Sequence, residues 1–220
     1  MIGTSARVGA AAGIAGPAVF TGSWIVSSLR QTGYPAAEIQ LSGLAAPDAR
    51  DPWVMVAGIV VLGGCTVAFG AALRDALRAG GVSQGRWRGG AGPAPRLIQG
   101  AGLLTIAAGL LRRDRMLLTP GSVSWHNHAH DVISVVIYVD LVAAQILLAA
   151  RFGRDPRWRP WRPWVLAGGL ATGAVLVAFA ADTSAPAAGV LQRVAVTIPL
   201  AVIAALAARL LRIPARSGWP

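Results

Sequence analysis

No lysine occurs anywhere in this chain, and all twenty basic residues are arginine. Acidic residues number nine, and charged residues of both signs make up only 13%. A soluble domain carries about a quarter charged residues, so burial of this chain in an aqueous core is the poorer explanation. The single cysteine, Cys65, excludes an intrachain disulfide and any cysteine-based metal cluster, and reads as a small packing residue. Also missing are the Walker A loop, the G-x-S-x-G elbow, the H-E-x-x-H helix and the dinucleotide fingerprint on a strand. Haem held between two spans is disfavoured as well, because the histidines gather at one end of one segment.

What the chain has in quantity is apolar: 55% hydrophobic residues and a mean hydropathy of +0.57. These residues come in long runs without the polar stripe of a water-facing helix. Six runs are expected as helices, over 8–29, 53–73, 97–111, 130–150, 164–181 and 190–211. The fold class expected is all-α, a polytopic transmembrane helical bundle in one domain spanning 1–220. The third run is the weakest span, covering ~22 Å against a hydrocarbon core of ~30 Å, and needs snorkelling of Arg96 and Arg112 or local thinning of the bilayer. The first run follows Arg7 and shows no small-x-small cleavage site, so it reads as a retained helix rather than a cleaved signal.

A net charge of +11 would suggest a nucleic-acid partner in a soluble protein. In a membrane protein the side that the arginines occupy matters more. Alternate connections divide them fourteen to six, and the poorer side also carries Glu38, Asp48, Asp51, Asp114, Asp131 and Asp182. The positive-inside rule then puts both termini in the cytoplasm of a cell-membrane protein, with the bilayer as its first partner and no nucleic acid. The Arg157-Trp158-Arg159-Pro160-Trp161-Arg162-Pro163-Trp164 segment reads as interfacial rather than RNA-gripping. Residues 81–95 read as a flexible cytoplasmic loop.

Gly9-x-x-x-Gly13, Gly63-Gly64 and Gly168-Gly169 allow close helix contact, within one bundle by default or between copies in a homo-oligomer. Pro17 and Pro199 are expected to kink the first and last helices.

Every histidine lies in His126-Asn127-His128-Ala129-His130-Asp131, at the outer mouth of the fourth run. His126, His128 and His130 could supply two or three nitrogen ligands to Zn2+, the one cofactor the sequence admits. A hydrogen-bonded or titrating surface cluster is the plainer reading. Asp131, Ser134, Tyr138 and Gln145 share one helix face, which should point into the bundle as a substrate path or as interhelical hydrogen bonds. Asp140 lies opposite that face near mid-membrane, where an ionised carboxylate costs roughly 3 kcal/mol; proton relay and a neutral hydrogen-bonded acid stand equal. Arg193, early in the last run, is expected to contact Asp131 or Asp182, or to hold an anion through its bidentate fork.

Four pieces follow one another along the chain: Gly13-Ile14-Ala15-Gly16-Pro17, Gly33-Tyr34 followed by Leu41-Ser42-Gly43-Leu44, His130-Asp131, and Leu191-Gln192-Arg193. With them the chain resembles the prokaryotic six-helix membrane family catalogued as domain of unknown function 998, over about Val8 to Leu211. The resemblance implies a six-helix fold and singles out Ser42, His130, Asp131 and Arg193 on the outer side. Arg112-Arg113-Asp114-Arg115 and the extra His126 and His128 depart from the family's pattern.

Two functional readings follow. One is binding or processing of an amphiphile or small anion at an outward-facing polar cleft, with Ser42, Tyr138 and Arg193 binding and His130 with Asp131 handling a proton. The other is a non-enzymatic component, a small transporter or partner subunit, whose polar residues specify helix packing.

Overall fold

The computed structural model of this protein describes residues 3–79, 90–117, 123–181 and 186–213. Six helices carry the fold: α1 (Thr4–Arg30), α2 (Pro52–Ala79), α3 (Ala94–Leu110), α4 (Trp125–Phe152), α5 (Arg162–Ala181) and α6 (Ala188–Leu211). No strand occurs among the described residues. Five helices are long and apolar enough to cross a membrane. The exception is α3, whose 17 residues give ~25 Å, so the run read as the weakest span is also the shortest helix.

Every expected helix is present, and most extend past their apolar runs. α2 continues six residues beyond 73, and α4 begins five residues before 130. Apolar runs mark hydrocarbon, whereas helices continue through polar turns as long as their ends are capped. For α4 the cap is Ser124, whose side chain accepts from the Asn127 backbone N–H.

Each helix packs on its neighbours in sequence and α6 returns to α1, so the six close a ring around a central axis. The seams are built by small residues. A Cβ on Gly63 would stand 2.6 Å from the Gly102 carbonyl oxygen, and one on Gly102 would stand 2.7 Å from that of Gly63. The backbones of α2 and α3 therefore touch, an approach only glycine permits. Gly9 and Gly13 likewise abut Ala68 and Phe69 of α2, so this motif packs the bundle from within. α1 and α6 run unbroken through Pro17 and Pro199, and both rings are buried.

One end of the ring holds the termini of the described chain, where Arg7 donates to the Leu211 carbonyl. There Trp158 is 1% exposed and stacks on Phe152 at 4.8 Å. This corrects the wholly interfacial reading of its segment: Trp158 is a core residue, while Trp164 is exposed. Asp155 fixes the turn by accepting both the Arg157 guanidinium and the Arg157 backbone N–H. Burial raises the Asp155 pKa, but these hydrogen bonds and charges outweigh it and leave the carboxyl below its ordinary range. Of the loop expected over 81–95, residues 81–89 lie outside the described set.

The opposite, distal end is covered by the long connection from α1 to α2, which contains a 3-10 turn at Leu41–Ala45. Its lid-like packing over the ring places Leu41 and Leu44 in the core.

Candidate functional site

The ring encloses a cavity of about 100 Å3. Its deep walls are apolar, from Phe20 on α1, Met55 and Ile59 on α2 and Leu200 and Ile203 on α6. A second cavity of about 320 Å3 lies at the distal end, lined by Gln40, Arg113, Asp131 and the α5 residues Leu176 and Phe179. Five residues line both: Ser42, His130, Ser134, Tyr138 and Gln192. The two therefore adjoin through one shared wall, polar toward the distal mouth and apolar below. α5 borders the mouth and buries fewer residues than any other helix, only Val165, Gly169 and Thr172.

His130 is 5% exposed, and its Nδ1 lies 2.9 Å from both the Ala108 and Leu111 carbonyl oxygens. Two carbonyls can only accept, so Nδ1 carries a proton as their donor. In the neutral ring Nε2 is then left with a lone pair. These carbonyls belong to the unsatisfied end of α3, so the imidazole also terminates that helix. Asp131 is not the partner of His130. Its Oδ2 accepts from the Asn127 side chain at 3.0 Å, and its Oδ1 lies 3.9 Å from Arg113 Nε. The pair expected to handle a proton together is therefore not joined by a hydrogen bond.

Arg113 is the site residue that sequence reasoning missed. Only 6% exposed, it donates from Nη1 to Gln40 Oε1 at 2.9 Å, while its Nε has no hydrogen-bond acceptor among the described residues. Burial lowers its pKa, and the Asp131 and Asp114 carboxylates oppose that shift. The arginine cluster in this loop was visible as a departure from the family pattern. Which of its members turns inward depends on loop geometry, which no periodicity encodes.

Arg193 is placed elsewhere than expected. Its Nη1 donates to the carbonyl oxygens of Ala36, Ile39 and Gly189 at 2.7, 3.0 and 2.8 Å, and its Nη2 donates to the Tyr34 hydroxyl. Trp24 and Tyr34 present ring faces to the same guanidinium. The expected contact with Asp131 is thus replaced by a clamp on the α1–α2 connection, and Asp182 lies outside the described residues. Backbone carbonyls carry no sequence signature, which is why this partner set was not legible. Arg193 lines neither cavity. Its neighbour Gln192 accepts the Leu41 N–H and fastens the same connection.

The three histidines sit on two sides of α4. All three lie inside α4, where His126 and His130 share a face and His128 turns outward, exposed. His126 Nδ1 is 2.8 Å from Ser124 Oγ, and His130 Nδ1 is spent on carbonyls. Among the described residues no group of three histidine, cysteine or acidic side chains is arranged to hold an ion. Of the expected α4 stripe, Asp131, Ser134 and Tyr138 reach the distal cavity, while Gln145 packs on Gly168 of α5 and donates to its own Leu141 carbonyl. Asp140 lines neither cavity and faces α3, its Oδ2 3.6 Å from where a Gly100 Cβ would stand.

Comparison with known protein families gives a match over most of the chain. The family model described as "Protein of unknown function (DUF998)" covers residues 14–209. The chain belongs to this family. No curated protein and no solved structure matches it. The matched stretch of this DUF998 chain includes every residue of both cavities named above, and the multi-pass membrane character follows from five spanning helices together with the family assignment.

Proposed function

We propose that this protein binds an amphiphile, its polar head in the distal mouth and its chain in the apolar shaft. The observation that carries this reading is the wall shared by the two cavities, where Ser42, His130, Ser134, Tyr138 and Gln192 form a polar step above an apolar well. A site of that polarity gradient suits a molecule with a polar and an apolar end. A small anion is the less suitable occupant. Arg193 is engaged by the α1–α2 connection, and the Arg113 charge is opposed by Asp131. The little-buried α5, which borders the mouth, offers a lateral route from the bilayer.

On this reading the distal end faces outside the cell, with both termini cytoplasmic in the cell membrane, because fourteen of twenty arginines fall on the terminal side. His130 and Asp131 remain the residues for any processing step. The Nε2 lone pair of His130 is a suitable proton acceptor, oriented by carbonyls rather than by a carboxylate. A polar side chain that serves packing alone is also represented, by Arg193, whose guanidinium is held by the α1–α2 connection.

The test is a photoreactive fatty-chain probe offered to protein in nanodiscs, with crosslinks mapped by mass spectrometry. Labelling of Ile59, Leu200 or Ile203, abolished by Thr105→Phe at another lining residue of the shaft in a protein of unchanged thermal stability, supports the reading. Labelling confined to exposed outward residues such as Val136 and Val177 contradicts it.

A further inference from the structure

Resting on the amphiphile reading, the inventory of free hydrogen-bonding groups in the mouth narrows the headgroup. Ser42, Ser134 and Tyr138 each line it with a hydroxyl that makes no hydrogen bond among the described residues. His130 offers an Nε2 acceptor, because Nδ1 is taken. Arg113 offers donors, with only Nη1 engaged by Gln40. Asp131, half exposed, offers acceptor capacity at Oδ1, which is 3.9 Å from Arg113 Nε and thus beyond hydrogen-bond length.

These groups have two features in common. Donors and acceptors are interleaved, and the charges cancel, one guanidinium against one carboxylate 3.9 Å away. An anionic head would gain Arg113 and meet Asp131, with the Asp114 carboxylate also acting on that arginine. A quaternary ammonium could donate nothing to His130. A hydroxyl both donates and accepts, so adjacent hydroxyls on one ligand satisfy such a wall without bringing a charge. We infer that the headgroup is an uncharged polyol, a sugar or a glycerol, carried on an alkyl chain.

The test is competition against the fatty-chain photoprobe in nanodiscs by dodecyl glucoside, monododecanoyl glycerol, dodecyl phosphate and dodecyltrimethylammonium. Either hydroxylated competitor is expected to act at concentrations at least ~10-fold below the two charged ones, as two or three extra hydrogen bonds require. The better of the two distinguishes a glycosyl from a glyceryl source. Tyr138→Phe and Ser134→Ala, which remove one hydroxyl each with little change of shape, should weaken the better competitor ~3- to 10-fold, and by more than they weaken dodecyl phosphate. Asp131→Asn should improve dodecyl phosphate, because it leaves Arg113 unopposed.

Equal or better competition by dodecyl phosphate in the unmodified protein overturns the polyol assignment and leaves the amphiphile reading standing. Absence of photolabel from the shaft defeats the amphiphile reading itself, and the headgroup assignment with it.

Discussion

Arg193 Nη2 donates to the Tyr34 hydroxyl at 2.6 Å, joining residues 159 positions apart in the chain. Together with three backbone carbonyls on Nη1, this bond makes one guanidinium the fastener between α6 and the connection that roofs the distal cavity. Removing it strands several acceptors at once. Arg193→Ala is expected to cost about 2 to 3 kcal/mol, read as a lowered unfolding temperature in detergent. Arg193→Lys should recover only part, since a point charge lacks the planar fork that reaches carbonyls and Tyr34 together. Full stability of the alanine variant would show that the clamp is not needed.

The histidine at the head of the shared wall makes a second structural claim. His130→Ala leaves the Ala108 and Leu111 carbonyls without their donor, at a cost of about 1 to 3 kcal/mol. Faster amide exchange over the last turn of α3 than in the unmodified protein should accompany it. Unchanged exchange there would contradict the assignment of Nδ1 as donor.

A third prediction concerns the α2–α3 seam. Gly102→Val puts a branched side chain where a Cβ alone would stand 2.7 Å from the Gly63 carbonyl oxygen. Overpacking of this kind costs about 1 to 3 kcal/mol, and backbone against backbone leaves little room to adjust. Gly64→Ala, with no atom within 4 Å of the added Cβ, is expected to be neutral in the same thermal assay.

Acid should loosen the α3–α4 connection. Asp114 accepts both the backbone N–H and the hydroxyl of Ser124, and these bonds hold its carboxyl below the ordinary range. A depressed folded pKa gives stability that is present above the unfolded value, about 3.9, and is lost as pH falls through the folded one. The unfolding temperature of the unmodified protein should therefore exceed that of Asp114→Asn at pH 6, and the gap should narrow by pH 3. A gap independent of pH would remove Asp114 from this role.

Hydropathy alone made all six helices legible, because the bilayer demands long apolar runs whatever the bundle does with them. Helix ends were less so, since Ser124 extends α4 through polar residues that no apolar count includes. At the site, Asp131, Ser134 and Tyr138 were readable because α4 is regular and 3.6-fold spacing puts them on one side, whereas His130 stood out through the histidine cluster and the resemblance. Arg113 was not, because its burial is decided by an irregular loop. The resemblance singled out Arg193, and what it does was hidden, because its partners are carbonyls.

The most direct measurement is a cryo-EM structure of protein extracted with its surrounding lipid. The account predicts continuous density running from beside Arg113 and His130 down to Leu200 and Ile203, with a compact head and one chain. A well-resolved shaft that is empty, or closed by its own side chains, would contradict it.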